Sequence, residues 1–322
     1  MKLFMLGTGP FAVPTLRRLA TSSHDVLGVI TRPPRGRRPV APPMQLAAEE
    51  LGLPLWQPET LNCDEARTQL ARQRPDLLVV CDYGEILKPD TLGVSPLGGV
   101  NLHASLLPKY RGAAPVQWAL LNGETETGNT VIQMTPGLDA GPCLGVQRVA
   151  IDPNETAAEL EARLAELGAD LVLEVIEQLA GGTAQGSAQD ASQMCKAPRL
   201  TKTDGIVDWK RNAQTIHNQV RGLDPWPRAS TWRIREDGPA QRLILHQTRC
   251  LAAESAPASP VDELLPGQIV QAGPQLLVQC GDAPLEIVRL QPEGKKAMSA
   301  AEFLRGTSLA RGESLGTPTS AE

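Results

Sequence analysis

Aromatic residues are scarce in this chain: five Trp, two Tyr and three Phe make up 3% of its 322 residues. A surface that grips nucleic acid mainly by stacking bases on rings is therefore not expected. Trp209, Trp226 and Trp232 are expected in the core instead. Histidine is scarcer still, with four in all. The six cysteines are scattered and form no Cys-x-x-Cys pair. That spacing supports neither a disulfide frame nor a zinc site, and it fits a reducing compartment. No apolar run approaches the ~20 residues of a membrane span. The opening MKLFMLGTGP has no long apolar core and no small-residue cleavage site, so it reads as a strand and a glycine turn rather than a signal peptide. A cytoplasmic protein that uses no metal is expected. The net charge of −5 is unlike that of a general nucleic-acid binder. Against it stands one local excess, Arg32-Pro-Pro-Arg-Gly-Arg-Arg38. Screening limits distant charges to ~8–10 Å, so such a loop can meet phosphate whatever the global sign.

What is present is an alternation of short apolar strands and helical segments over residues 1–182. Strands are expected at Lys2–Leu6, Val26–Ile30, Leu55–Trp56, Asp76–Cys81, Gly99–His103 and Glu126–Met134. Leu160, Leu164, Leu167 and Leu171 recur at helical spacing within Thr156–Leu179, which Gly181-Gly182 ends. This order predicts an α/β fold, a doubly wound parallel-sheet (Rossmann-like) domain. Residues 183–203 are rich in Gln, Ser, Ala and Gly and read as a linker. Residues 204–310 hold one helix and five short strands broken by Gly and Pro, which predicts a small OB-like β-barrel. Residues 311–322 read as a flexible tail.

Two motifs compete for the chemistry. Gly7-Thr8-Gly9-Pro10-Phe11-Ala12 matches G-x-G-x-x-A after a first strand, the place for a dinucleotide. The second strand, however, ends in Thr31-Arg32 rather than the acidic residue that holds a ribose. The arginines would suit an NADP phosphate; the alternative is a plain packing turn. The second motif is NLHASLLPKYRG, residues 101–112. Asn101 and His103 lie two apart on a strand and so face the same side. The irregular SLLP turn leaves their strand end open, which is where open α/β sheets place ligands. Asp139, in TPGLDAG after the next strand, is expected at the same sheet edge.

NLHASLLPKYRGAAPVQWAL and GNTVIQMTPGLDAG together resemble the signature of the 10-formyltetrahydrofolate-using transferases and hydrolases. The resemblance extends over nearly the whole chain. It includes LGTGPFAVPTL, APPMQLAAEELGLPLWQP, CDYGEIL, DWKRNAQTIHNQVRGLDPWP and LQPEGKKAMSAAEF. The second-domain blocks are similar to those of members that formylate the methionine carried by initiator tRNA. The resemblance implies Asn101, His103 and Asp139 as the catalytic set and Ser105, Leu106, Leu107 and Pro108 as lining of the folate pocket. It implies 10-formyltetrahydrofolate as co-substrate, no bound NAD(P) and a monomer. It also implies that the arginine loop reaches the tRNA acceptor end, with Arg35 the best match and Arg37 or Arg38 able to substitute. The loop is shorter than in the family, and Pro34 stands where glycine is common. Phosphate contacts in the second domain are expected from Lys202, Lys210, Arg211, Arg221 or Arg233. A hydrolase using water in place of the amine, and an NADP reductase, are the competing classes.

Overall fold

The computed structural model describes residues 1–36, 39–235, 238–251 and 264–318. The chain divides into two compact units. The first comprises Met1–Val116, Thr125–Ile151 and Glu159–Pro198, and the second Gln117–Glu124, Asp152–Ala158 and Arg199–Glu322.

The first unit is built on a seven-stranded sheet. Its strands are β1 (Lys2–Leu6), β2 (Asp25–Ile30), β3 (Leu55–Trp56), β4 (Leu77–Val80), β5 (Gly99–His103), β7 (Glu126–Gln133) and β8 (Cys143–Ala150), in the order β3-β2-β1-β4-β5-β7-β8. β6 (Arg111–Gly112) lies outside this sheet and pairs with β9 (Lys196–Ala197). The five strands from β3 to β5 run parallel. β4, Leu-Leu-Val-Val, is buried at every position, as expected for a parallel strand covered on both faces. The helices are α1 (Val13–Ala20), α2 (Pro43–Glu50), α3 (Asp64–Arg72), α4 (Pro89–Leu92) and α6 (Ala157–Ala180), while α5 (Pro115–Leu121) falls mostly in the Gln117–Glu124 segment of the second unit.

The far edge departs from an all-parallel sheet. β7 pairs antiparallel with β5, and β8 antiparallel with β7. Hydrophobic patterning marks β7 as a strand but carries no direction. β8 alternates weakly because its outer positions are open to solvent.

α6 packs on the β5 side of the sheet through a glycine. A Cβ at Gly168 would lie 2.7 Å from Leu102 Cδ2, so only glycine lets the helix come this close. Leu102 lies between Asn101 and His103 and faces the other way. The helix therefore covers one face of β5, and Asn101 and His103 belong to the opposite face.

Residues 183–198 are more than a linker. Ser187 bridges Cys143, and β9 adds to β6. Both ladders tie the segment to the first unit.

In the Arg199–Glu322 part of the second unit, the first α-helix is α7 (Ala213–Gly222). β10 (Ala229–Arg233), β11 (Gln241–Cys250), β12 (Ile269–Ala272), β13 (Leu276–Gln279), β14 (Pro284–Pro292), β15 (Met298–Ser299), α8 (Ala300–Arg305) and β16 (Leu315–Gly316) follow. The strand order is β12-β13-β14-β11-β10-β16, antiparallel throughout. Ile269 N–H donates to Glu313 O at 2.8 Å and Leu315 N–H to Gly267 O at 2.7 Å, which joins the two ends of this path as in a small barrel. The core gathers Trp209, Ile216, Val220, Leu243, Leu245, Leu276 and Phe303.

Residues 311–318 thus correct the expected flexible tail: Leu315 is buried, and its strand pairs with β10. Residues 319–322 lie outside the described residues. Trp226 corrects another expectation. Trp209 is buried and donates its Nε1–H to Thr231, but Trp226 is 51% exposed in the Asp224–Arg228 turn.

Candidate active site

His103 ends β5 and is buried, with 6% of its side chain exposed. Its Nε2 lies 2.9 Å from the carbonyl oxygen of Tyr110. A carbonyl only accepts, so Nε2 carries the proton of that bond. The other ring nitrogen, Nδ1, faces Asp139 Oδ2 at 3.7 Å, and that carboxylate is 12% exposed. Gly112 N–H donates to the same Oδ2 at 2.9 Å. Asn101, two residues before His103 on the same strand side, is half-buried. Its amide has no hydrogen-bond partner among the described residues.

The structure brings His103 and Asp139 together by an unexpected route. Because β7 runs antiparallel to β5, its last residue, Gln133, sits opposite Val100, and Thr130 sits opposite His103. The loop after β7 therefore leaves near the start of β5 and has to run back to reach His103. Asp139 lies on this return with φ +48°, a left-handed conformation uncommon outside glycine. Gln189 holds the loop, donating to Asp139 O at 2.8 Å and Gly141 O at 2.7 Å.

Gln189 and the backbone of Gly112 are the site residues that sequence reasoning missed. Gly112 stood inside the YRG block, but a backbone donor leaves no mark in a sequence. Gln189 sits in the polar stretch read as a linker.

The SLLP turn is set by one buried hydroxyl. Thr130 Oγ1 donates to Ser105 O at 2.7 Å and accepts from Leu107 N–H at 3.2 Å. Ser105 is fully buried and donates its own hydroxyl to Lys109 O at 2.7 Å. Its side chain shapes the turn and is not presented outward. Leu106, Leu107 and Pro108 are half-exposed and form the apolar surface. Burial pushes the thiols of Cys81 and Cys143 up, so both stay neutral and unsuited to nucleophilic attack.

The glycine turn after β1 is not free for a pyrophosphate. A Cβ at Gly9 would fall 1.9 Å from Asp82 Oδ2, so a carboxylate already fills the space that glycine opens. Arg32 is likewise engaged: its Nη1 pairs with Glu85 Oε2 at 3.0 Å, and Glu85 also accepts from Leu61 N–H and Asn62 Nδ2. Arg35 differs. It is 65% exposed and pairs with exposed Glu59 at 3.0 Å. Arg37 and Arg38 lie outside the described residues.

In the second unit, Arg221 and Arg233 are not presented for binding. Buried Arg221 donates to the carbonyls of Asp152 and Glu155, and Arg233 to Glu313 and Ser308 O. Lys202, Lys210 and Arg211 are exposed.

Residues 1–176 match the formyl transferase family model, and residues 199–308 match that of the formyl transferase C-terminal domain. The methionyl-tRNA formyltransferase of Geobacter metallireducens is 41% identical over 98% of this chain and 99% of its own length. That of Acidobacterium capsulatum is 45% identical, over 98% of this chain and all of its own. The chain belongs to the methionyl-tRNA formyltransferase family. It is a formyl-transferring enzyme.

Solved structures show the fold more widely. The sugar 3N-formyl transferase WlaRD, solved in the presence of dTDP and 5-N-formyl-THF, aligns with a TM-score of 0.64 at 18% identity over 92% of this chain and 99% of its own. HypX from Aquifex aeolicus, in complex with tetrahydrofolic acid, aligns with a TM-score of 0.61 at 16% identity, over 94% of this chain and 46% of its own. Both shares exceed the first unit alone. No helix among the described residues is long and apolar enough to cross a membrane.

Proposed function

We propose that the chain moves the formyl group from N10 of 10-formyltetrahydrofolate to the α-amino group of methionine esterified to initiator tRNA, for translation initiation. The observation that carries this reading is the approach of His103 Nδ1 to Asp139 at 3.7 Å beside the unengaged amide of Asn101, in a chain of this family.

The amine nitrogen bonds to the formyl carbon, and negative charge develops on the formyl oxygen. Preorganised donors at such an oxygen are worth about 10²–10³ in rate. The Asn101 amide is an available donor. His103 manages the protons. Its Nε2–H is committed to Tyr110 O, so Nδ1 is the ring nitrogen that takes the proton from the amine. It then delivers a proton to N10 as the bond between the formyl carbon and N10 breaks. Asp139 stabilises the imidazolium between the two transfers. The cycle is balanced: one C–N bond forms, one breaks, and one proton passes from amine to N10.

Leu106, Leu107 and Pro108 give a flat pteridine an apolar wall, with Ser105 fixing its shape. Arg35 meets tRNA phosphate in this reading. Its ion pair with Glu59 is exposed at both ends, and such pairs contribute at most ~1 kcal/mol, so exchanging Glu59 for a phosphate costs little. By their place in the same arginine-rich sequence, Arg37 and Arg38 serve the same purpose, and Lys202, Lys210 and Arg211 extend the phosphate contacts.

Replacing His103 by Ala tests the reading. Transfer is expected to fall by at least ~10², since general acid–base catalysis contributes that much. Folate affinity, measured by fluorescence quenching, is expected to stay within about twofold, because the variant leaves the SLLP wall in place. Normal turnover in the variant would make His103 a structural residue and remove the basis of the proposal.

A further inference from the structure

The return of the 134–142 loop to His103 needs a device to hold it, and four hydrogen bonds supply one. Gln189 Nε2 donates to Asp139 O at 2.8 Å and to Gly141 O at 2.7 Å. Gln189 Oε1 accepts from Arg111 Nε at 3.1 Å and from Arg111 Nη2 at 2.7 Å. Both protons of the amide and both lone pairs of its oxygen are used, so the side chain has one orientation. Arginine offers two donors in a fixed plane, which a lysine cannot. The residue next to Arg111 is Gly112, whose N–H donates to Asp139 Oδ2 at 2.9 Å. The dipeptide is itself fixed by pairing with Lys196–Ala197. Asp139 is thus gripped at both ends from one point: its carboxylate by Gly112, and its own carbonyl by Arg111 through Gln189.

We infer that Gln189 and Arg111 are positioning residues for formyl transfer, acting through Asp139 by setting its carboxylate against His103 Nδ1. The inference rests on the catalytic reading of His103 and Asp139. A residue at φ +48° keeps that conformation only where its surroundings over-determine it, and these bonds are the surroundings. The chemistry also dictates glutamine at this point. A glutamate would still accept from Arg111 but would present oxygen to two carbonyl oxygens, and an apolar residue of the same size would hold neither partner.

The test is a cycle of variants: Gln189→Met, Asp139→Asn and the pair together, with Arg111→Lys as an independent probe of the same clamp. Single-turnover rate and KM for 10-formyltetrahydrofolate are measured with charged initiator tRNA in excess. Misplacing a catalytic group by about 1 Å can cost ~10²-fold, so Gln189→Met is expected to lower the rate 10- to 100-fold with KM changed less than about twofold. Arg111→Lys is expected to do the same to a smaller extent. In the Asp139→Asn background, Gln189→Met is expected to cost almost nothing more, because the group it positions is already lost. Equal losses in both backgrounds would overturn the inference, as would unchanged rates in both Gln189→Met and Arg111→Lys. A loss confined to KM would assign the clamp to binding and also overturn it. Should Gln189→Met not fold, Arg111→Lys alone and in the Asp139→Asn background gives the same cycle. If Asp139→Asn itself were fully active, the reading of the catalytic set would fail, separately from the clamp.

Discussion

Asn101 is the residue whose environment says most about its use. Its neighbours on β5 are spent on structure: Leu102 packs on α6, and His103 Nε2 binds Tyr110 O. Its own amide has no hydrogen-bond partner among the described residues. Asn101→Asp keeps the shape, removes the N–H donor and puts negative charge where the oxyanion would form. The expected loss in rate is about 10²–10³ or more, with little change in unfolding midpoint. A variant transferring formyl at the normal rate would exclude Asn101 as the donor. This pair was legible in the sequence because i, i+2 spacing on a strand fixes a common side. Gln189 was not legible, because its importance comes from two carbonyls and one guanidinium that lie 48 or more residues away along the chain. Trp226 was misread for a related reason: an apolar ring reads as core, and only the turn that carries it shows it facing solvent.

Among the elements, α7 holds an unusual concentration of buried polar groups: His217, Asn218, Gln219 and Arg221. His217 Nε2 donates to Pro153 O at 3.1 Å, so Nδ1 is left to accept from Thr248 Oγ1 at 3.0 Å. The neutral ring satisfies both partners. Desolvation lowers its pKa from the ordinary value of 6.5, and the charge of Arg221 pushes the same way. The unfolded chain therefore takes up this proton first as the pH drops. Stability from His217 is full above ~6.5 and is lost as pH falls through the lower folded value. His217→Gln has no such titration. Between about pH 7.5 and pH 5.5 the thermal midpoint of the native chain is expected to fall more than that of the variant. His24, also lowered by burial, is common to both and cancels. Parallel falls would show that folding leaves the proton affinity of His217 unchanged, against the desolvation argued here. The elements themselves were largely readable. What patterning did not reveal was direction: β7 and β8 turn the sheet edge antiparallel, and Asp139 consequently reaches His103 along a loop that doubles back.

Over the whole molecule, net charge is a poor guide to partners: an acidic chain still presents Arg35, Lys202, Lys210 and Arg211 outward while Arg32, Arg221 and Arg233 are drawn into structure. The two-unit plan was visible in the change from strand–helix alternation to short strands. Its boundary was not, since residues 183–198 look like a linker by composition yet pair with β6 and β8. In the proposed function this site passes a formyl group to an aminoacyl-tRNA and not to water, and the glycine turn serves no dinucleotide. One incubation tests it: the chain with 10-formyltetrahydrofolate, NADPH and methionyl-initiator tRNA, following formyl in tRNA, free formate and NADPH absorbance together. Formyl is expected to accumulate on tRNA one for one with tetrahydrofolate released, without excess formate and with flat NADPH absorbance. Formate released at the same rate without charged tRNA, or steady loss of NADPH, would contradict it.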